Sequence, residues 1–190
     1  MYRADDPCIK DLLWKGKRGI QEKLIKGCAM WISVDSAELE DTSKGMKKKI
    51  LLGDNNLTVR AGIRSLLKRL EYVGEVAEAE NEYEVVSMTE ELRPDVAILD
   101  IGLVIFSYID TIRQIRMNSP KTEVIILSMY TEKWYVLEMI KAGAKAYVLK
   151  DQVKKDLSPA IQAVCANQYY VSSDVYDDEI QEYIASKQKG

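Results

Sequence analysis

Residues 93–101 read RPDVAILDI, and the four-residue run Val96-Ala97-Ile98-Leu99 inside them decides the fold class. The run is short, continuous and rich in branched side chains. A strand with one wet face alternates apolar and polar positions; an unbroken run reads as a strand buried on both faces of a parallel sheet. Three further runs have the same form: Ile50-Leu51-Leu52, Val124-Ile125-Ile126-Leu127 and Ala146-Tyr147-Val148-Leu149. A fifth, VGEVAEA at residues 73–79, interleaves glutamates and suits an edge strand.

Helical periodicity fills the gaps. Val59, Ile63, Leu66, Leu67 and Leu70 keep the three-and-four spacing of one buried stripe. Residues 81–92 and 108–117 read as two weaker helices. Val136, Met139 and Ile140 mark another, which Gly143 is placed to stop. Leu157, Ile161, Val164 and Cys165 mark the last, where Pro159 is expected in the first turn, the place where a missing amide costs nothing. The alternation of strand and helix, with right-handed crossovers, gives an α/β doubly wound parallel sheet with helices on both faces. Function in such sheets gathers at the carboxyl ends of the strands.

Composition narrows the chemistry. The chain has 190 residues, 47% hydrophobic and 30% charged, enough for one cored domain with an extension. With 27 basic and 30 acidic residues, its net charge of −3 does not suit a protein that coats nucleic acid. It contains 0 histidines, which excludes a Ser-His-Asp triad, a His-ligated metal and a phosphohistidine carrier. Cys8, Cys28 and Cys165 are scattered, so a disulfide framework is not expected and a reducing cytoplasm is the simplest setting. The longest apolar tract, residues 96–109, is interrupted by Asp100 and falls short of the about 20 residues that span a bilayer.

The residues that end the buried strands form a pattern. Gly53 and Asp54 follow the first, Asp100 the third, Ser128 the fourth and Lys150 the fifth. Any one alone reads as a turn or helix cap. Together they place carboxylates, a hydroxyl and an ammonium at the same end of one sheet. Paired carboxylates can hold Mg²⁺, which takes few protein ligands and shares phosphate oxygens. One carboxylate can attack a phosphoryl group, and the lysine and hydroxyl can bind the transferred oxygens.

KKKILLGDNNLTVRAGIRSLL (47–67), RPDVAILDI, VIILSMYTEKWYV (124–136) and AGAKAYVLKD (142–151) resemble the receiver domain of bacterial two-component response regulators. The triplet Ser128-Met129-Tyr130, the YVLKD ending, and the later IQAV and YYVSSDV segments resemble the NarL/LuxR-type subfamily. The resemblance covers residues 47–175. It implies a flavodoxin-like (CheY-like) five-stranded sheet of order 2-1-3-4-5. It implies that Asp100 is the phosphoacceptor, and that Mg²⁺ is held by Asp54, Asp100 and the backbone carbonyl of Gly102, with Asn55 a further candidate ligand. Ser128 matches the switch hydroxyl, Lys150 the lysine, and Tyr147 the aromatic that rotates between outward and inward positions. The implied partner is a sensor histidine kinase, with a homodimer or a downstream regulator as output, in a system of transcriptional control. The chain would be a cytoplasmic phosphoacceptor rather than an enzyme, catalysing only its own Mg²⁺-dependent phosphorylation and dephosphorylation.

The sequence departs from that pattern in two places. Asn55 stands where a second acid is usual, which removes one anionic ligand. In the loop after Asp100, Val104, Ile105, Ser107 and Tyr108 replace the usual proline, glycine and Asp-Gly. These changes motivate a second reading: a degenerate interaction module of the same fold, independent of phosphorylation. A small flavodoxin-like enzyme is a third, disfavoured because the Gly53-Asp54-Asn55-Asn56 loop is acidic and repels phosphates without a metal.

The receiver-like part is expected over residues 46–172. Residues 1–45 form an N-terminal extension and 173–190 a tail or linker, the part from Asp177 reading as a linker or terminal helix. Ile9, Leu12, Leu13, Ile20 and Leu24 roughly keep one face among lysines and arginines. A basic amphipathic helix of that kind can lie on an anionic membrane or dock a partner, but Gly16 and Gly19 favour the plainer reading of a loose extension. The tail is too short for a helix-turn-helix domain, so the expectation is a stand-alone receiver or a truncated or diverged regulator, with no support for direct DNA binding.

Overall fold

The computed structural model describes residues 47–102 and 105–188, within the compact unit that begins at Lys47. The expectations for residues 1–45, Cys8 and Cys28 among them, and for Val104 lie outside the described residues. The elements run β1 (Lys48–Gly53), α1 (Leu57–Leu67), β2 (Val73–Ala79), α2 (Glu82–Leu92), β3 (Val96–Asp100), α3 (Ile105–Asn118), β4 (Glu123–Ser128), α4 (Lys133–Ala142), β5 (Ala146–Leu149), α5 (Val153–Cys165), β6 (Tyr170–Val171) and α6 (Asp178–Gln188).

All pairings are parallel, and the sheet order is β2-β1-β3-β4-β5-β6. The four apolar runs are the central strands, buried throughout along β3 and β5. The glutamate-bearing run is the edge strand β2. Alternate strand residues feed two cores. Ile50, Leu52, Ile98, Ile125 and Val148 pack with Ile63 and Leu67 of α1 and Leu157 and Ile161 of α5. Leu51, Ala97, Leu99, Ile126 and Tyr147 pack with Val85 of α2, Ile112 of α3 and Met139 of α4.

Three features differ from the sequence reading. A sixth strand of two residues, β6, extends the sheet beyond the expected five; Ser172 anchors it by accepting from the Leu149 amide at 3.1 Å and donating to buried Asp156 at 2.5 Å. Pro159 lies inside α5, six residues past its start and not in the first turn. It has no amide to give the Lys155 carbonyl, a cost that the helix's deeply buried apolar face (Leu157, Ala160, Ile161, Val164) outweighs. Helix α3 starts at Ile105, earlier than the expected 108, so residues 105–107 of the presumed loop are helical. Residues beyond 172 also join the core: Val175, Ile180 and Ile184 are buried on the α4 side, and Asp177 pairs with Lys133. Residues 178–188 thus form a packed helix, one of the two forms the sequence allows for this end of the chain.

Gly143 ends α4 at φ 122°, a backbone state that glycine adopts without strain.

Candidate phosphoacceptor site

Strand register builds the site. Gly53 pairs with Leu99, which sets Asp54 beside Asp100. Asp100 pairs with Leu127, next to Ser128, and Ser128 pairs with Leu149, next to Lys150. The sequence-predicted residues Asp54, Asp100, Ser128 and Lys150 are thus brought to one edge of the sheet. Gly53 has a steric reason to be glycine: a Cβ there would fall 2.5 Å from Val85 Cγ2, so its absence lets α2 pack against the strand end.

Asp54 and Asp100 are both buried. Asp54 Oδ1 accepts from the Asn56 amide at 2.7 Å, and Asn56 in turn caps α1. Asp100 Oδ2 is held by Lys150 Nζ at 2.5 Å. The other oxygens, Asp54 Oδ2 and Asp100 Oδ1, are buried with no hydrogen-bond partner. Burial raises the Asp100 carboxyl above the usual range; Lys150 pulls it back, and the neighbouring Asp54 carboxylate raises it further. Two neighbouring buried carboxylates, each with an unpartnered oxygen and only Asp100 paired to a cation, form a donor set that suits a hard divalent ion. Among the described residues no group of three or more acidic, cysteine or histidine side chains is placed to hold a metal ion together, so the remaining ligands would be carbonyl or amide oxygens and water. Asn55 borders the same cleft and is exposed, and Gly102 follows Asp100 by two residues. The cleft, of about 370 Å³, is also lined by Glu80, Glu82, Tyr108 and Thr111.

Ser128 is fully buried and its Oγ accepts from the Tyr130 amide at 3.0 Å. Tyr147 is fully buried, in the inward position, and its hydroxyl donates to the Tyr130 carbonyl at 2.8 Å. Burial pushes its phenol up to about 12, against a lowering contact from Ser128. Tyr130 stacks on Tyr135, with ring centroids 4.7 Å apart, and Tyr135 stacks on Trp134.

Sequence reading missed Arg60. It is buried in α1, donates to the Asp54 carbonyl at 2.7 Å and pairs with Glu78 at 3.0 Å and Glu80 at 2.6 Å. The available signal was the alternation of Glu78 and Glu80, which puts both on one face at the end of β2 and calls for a cation. Tyr108 as a wall of the cleft was also not foreseen.

A family model, the response regulator receiver domain, matches residues 50–162. The chain belongs to this family. The receiver is 32% identical over 127 residues to the transcriptional regulatory protein YdfI of Bacillus subtilis, covering 67% of this chain and 59% of that protein. It is 31% identical over 147 residues to the oxygen regulatory protein NreC of Staphylococcus epidermidis, covering 74% and 65%. The chain therefore spans about three fifths of the length of these relatives. Among solved structures, a LuxR-family two-component response regulator from Aurantimonas is 28% identical with a TM-score of 0.62, over 76% of this chain and 99% of that one. The isolated receiver domain of RcsB from Salmonella enterica shares the fold, with a TM-score of 0.61 at 23% identity over 68% and 96%. Both the sheet and the NarL/LuxR-type resemblance read from the sequence stand with these findings.

Proposed function

We propose that this receiver takes a phosphoryl group on Asp100 from the phosphohistidine of a sensor kinase. The observation that carries the reading is the division of labour on one carboxylate of a cleft-lining residue: Lys150 holds Asp100 Oδ2 while Oδ1 is buried without a partner. In the transfer, Oδ1 attacks phosphorus, the phosphorus–nitrogen bond breaks, and its electron pair returns to the donor imidazole. Asp54 Oδ2, Asp100, the Gly102 carbonyl and Asn55 would hold Mg²⁺, which supplies charge neutralisation at the phosphoryl oxygens. Lys150 and Ser128 bind the oxygens of the transferred group.

Output follows from the contacts of Tyr147. Movement of Ser128 toward a phosphoryl oxygen withdraws it from the Tyr130 amide, and Tyr130 is also the acceptor for Tyr147 and the base of the Tyr135–Trp134 stack. The surface around residues 130–157 then shifts between two populations and changes its preference for a second copy or a downstream regulator. The free, buried carboxylate oxygens do not favour the phosphorylation-independent module. A cytoplasmic setting fits a kinase partner. Nuclear magnetic resonance during a beryllofluoride and Mg²⁺ titration tests the proposal: the amides of Asp100, Ser128, Tyr130 and Lys150 should shift together and saturate. A spectrum unmoved at these four positions would overturn it.

A further inference from the structure

Tyr108 lines the cleft, yet the phosphoacceptor reading gives it no part. It stands in the first turn of α3 and is half-buried. Its phenol reaches the backbone of Gly102. A Cβ built on Gly102 would lie 3.7 Å from the phenol oxygen and would meet nothing else within 4 Å among the described residues. Among the described residues the phenol is therefore the side-chain group that stands over this position. Gly102 is two residues from Asp100, so its Cα lies at most about 7 Å away along the chain. Tyr108 lines the same cleft as Asp54, Glu82 and Asp100; burial raises the phenol's pKa, the Gly102 backbone lowers it, and Glu82, Asp100 and Asp54 raise it again. Tyrosine suits such a post: a flat apolar body with a polar tip that can be tethered.

We propose that Tyr108 is the residue that sets the lifetime of the phosphorylated state, its ring tethered at Gly102 and shielding Asp100 from water. The proposal rests on the phosphoacceptor reading above. In the step it slows, a water oxygen attacks phosphorus and the bond from phosphorus to the Asp100 oxygen breaks. The electron pair returns to the Asp100 carboxylate, inorganic phosphate leaves, and the water's proton passes to it or to solvent. Excluding water from the cleft removes the attacking group without weakening the acceptor.

The experiment measures the half-life of the acyl phosphate after acetyl phosphate is removed, with Mg²⁺ affinity and melting temperature recorded alongside. Tyr108→Gly removes the ring and should shorten the half-life by about tenfold, the effect of roughly 1.4 kcal/mol on the hydrolysis barrier. Tyr108→Phe keeps the ring but loses the tether and should fall between the two. Mg²⁺ affinity should change little in either variant. A Tyr108→Gly half-life equal to that of the unaltered chain overturns the proposal, as does a loss that tracks weakened Mg²⁺ binding. If the unaltered chain neither gains a phosphoryl group nor binds beryllofluoride, the phosphoacceptor reading fails and this proposal with it.

Discussion

Asp54→Asn should stabilise the metal-free protein and remove most of the stability that Mg²⁺ adds. In the metal-free site, Lys150 pairs with Asp100 alone, and Asp54 and Asp100 each keep a buried oxygen without a partner. An asparagine retains an oxygen for the Asn56 amide, which Asp54 now accepts at 2.7 Å. Its new amide group can donate to the free Asp100 oxygen, since the two side chains lie within hydrogen-bonding reach. Relieving an unsatisfied buried charged group is worth about 1–3 kcal/mol. In a domain of this size each kcal/mol moves the melting temperature by roughly 2–4 °C. In EDTA the variant should therefore melt about 2–12 °C higher. With Mg²⁺ at a hundred times its dissociation constant, the unaltered protein gains about 2.7 kcal/mol and the variant should gain little. Melting curves by circular dichroism, with and without Mg²⁺, read both effects. A variant that melts lower in EDTA and gains as much from Mg²⁺ as the parent would refute the reasoning.

Other outcomes follow from the same contacts. Because burial raises the Asp100 carboxyl, the folded state holds this proton to higher pH than the unfolded chain does. Its contribution to stability is full below the unfolded pKa and is lost as pH rises through the folded one; Asp100→Asn should remove that part of the slope in denaturant melts at each pH. Gly53→Ala puts a methyl 2.5 Å from Val85 Cγ2 and should cost about 1–3 kcal/mol, with Val85→Ala in the same chain restoring much of it. Tyr147→Phe strips the donor from the Tyr130 carbonyl and should cost about 1 kcal/mol in urea melts, since that hydrogen bond at 2.8 Å is intramolecular and buried at its Tyr147 end.

The central strands were legible because burial on both faces leaves no polar residue to interrupt them, as along Val96–Asp100 before its terminal acid. The site was legible for a related reason: parallel strands in register put the residues that follow Leu52, Leu99, Leu127 and Leu149 side by side. What escaped depends on tertiary contact. Tyr170–Val171 is too short to carry a periodicity, and it is a strand only because Lys145 and Tyr147 offer it carbonyls. Pro159 sits mid-helix because packing of α5 outweighs a local rule. The turn of helix at 105–107 could not be separated from a loop by pattern. Arg60 reads as an ordinary polar helix position until Glu78, Glu80 and the Asp54 carbonyl are placed around it.

The most direct test of the account is the intact mass of the protein after incubation with acetyl phosphate and Mg²⁺, with EDTA and Asp100→Asn as controls. The account predicts one added phosphoryl group, present only in the unaltered chain with Mg²⁺. An adduct that persists in Asp100→Asn would contradict the assignment of the acceptor. A folded, unaltered chain that gains no adduct and shows no shift with beryllofluoride would contradict the phosphoacceptor function itself.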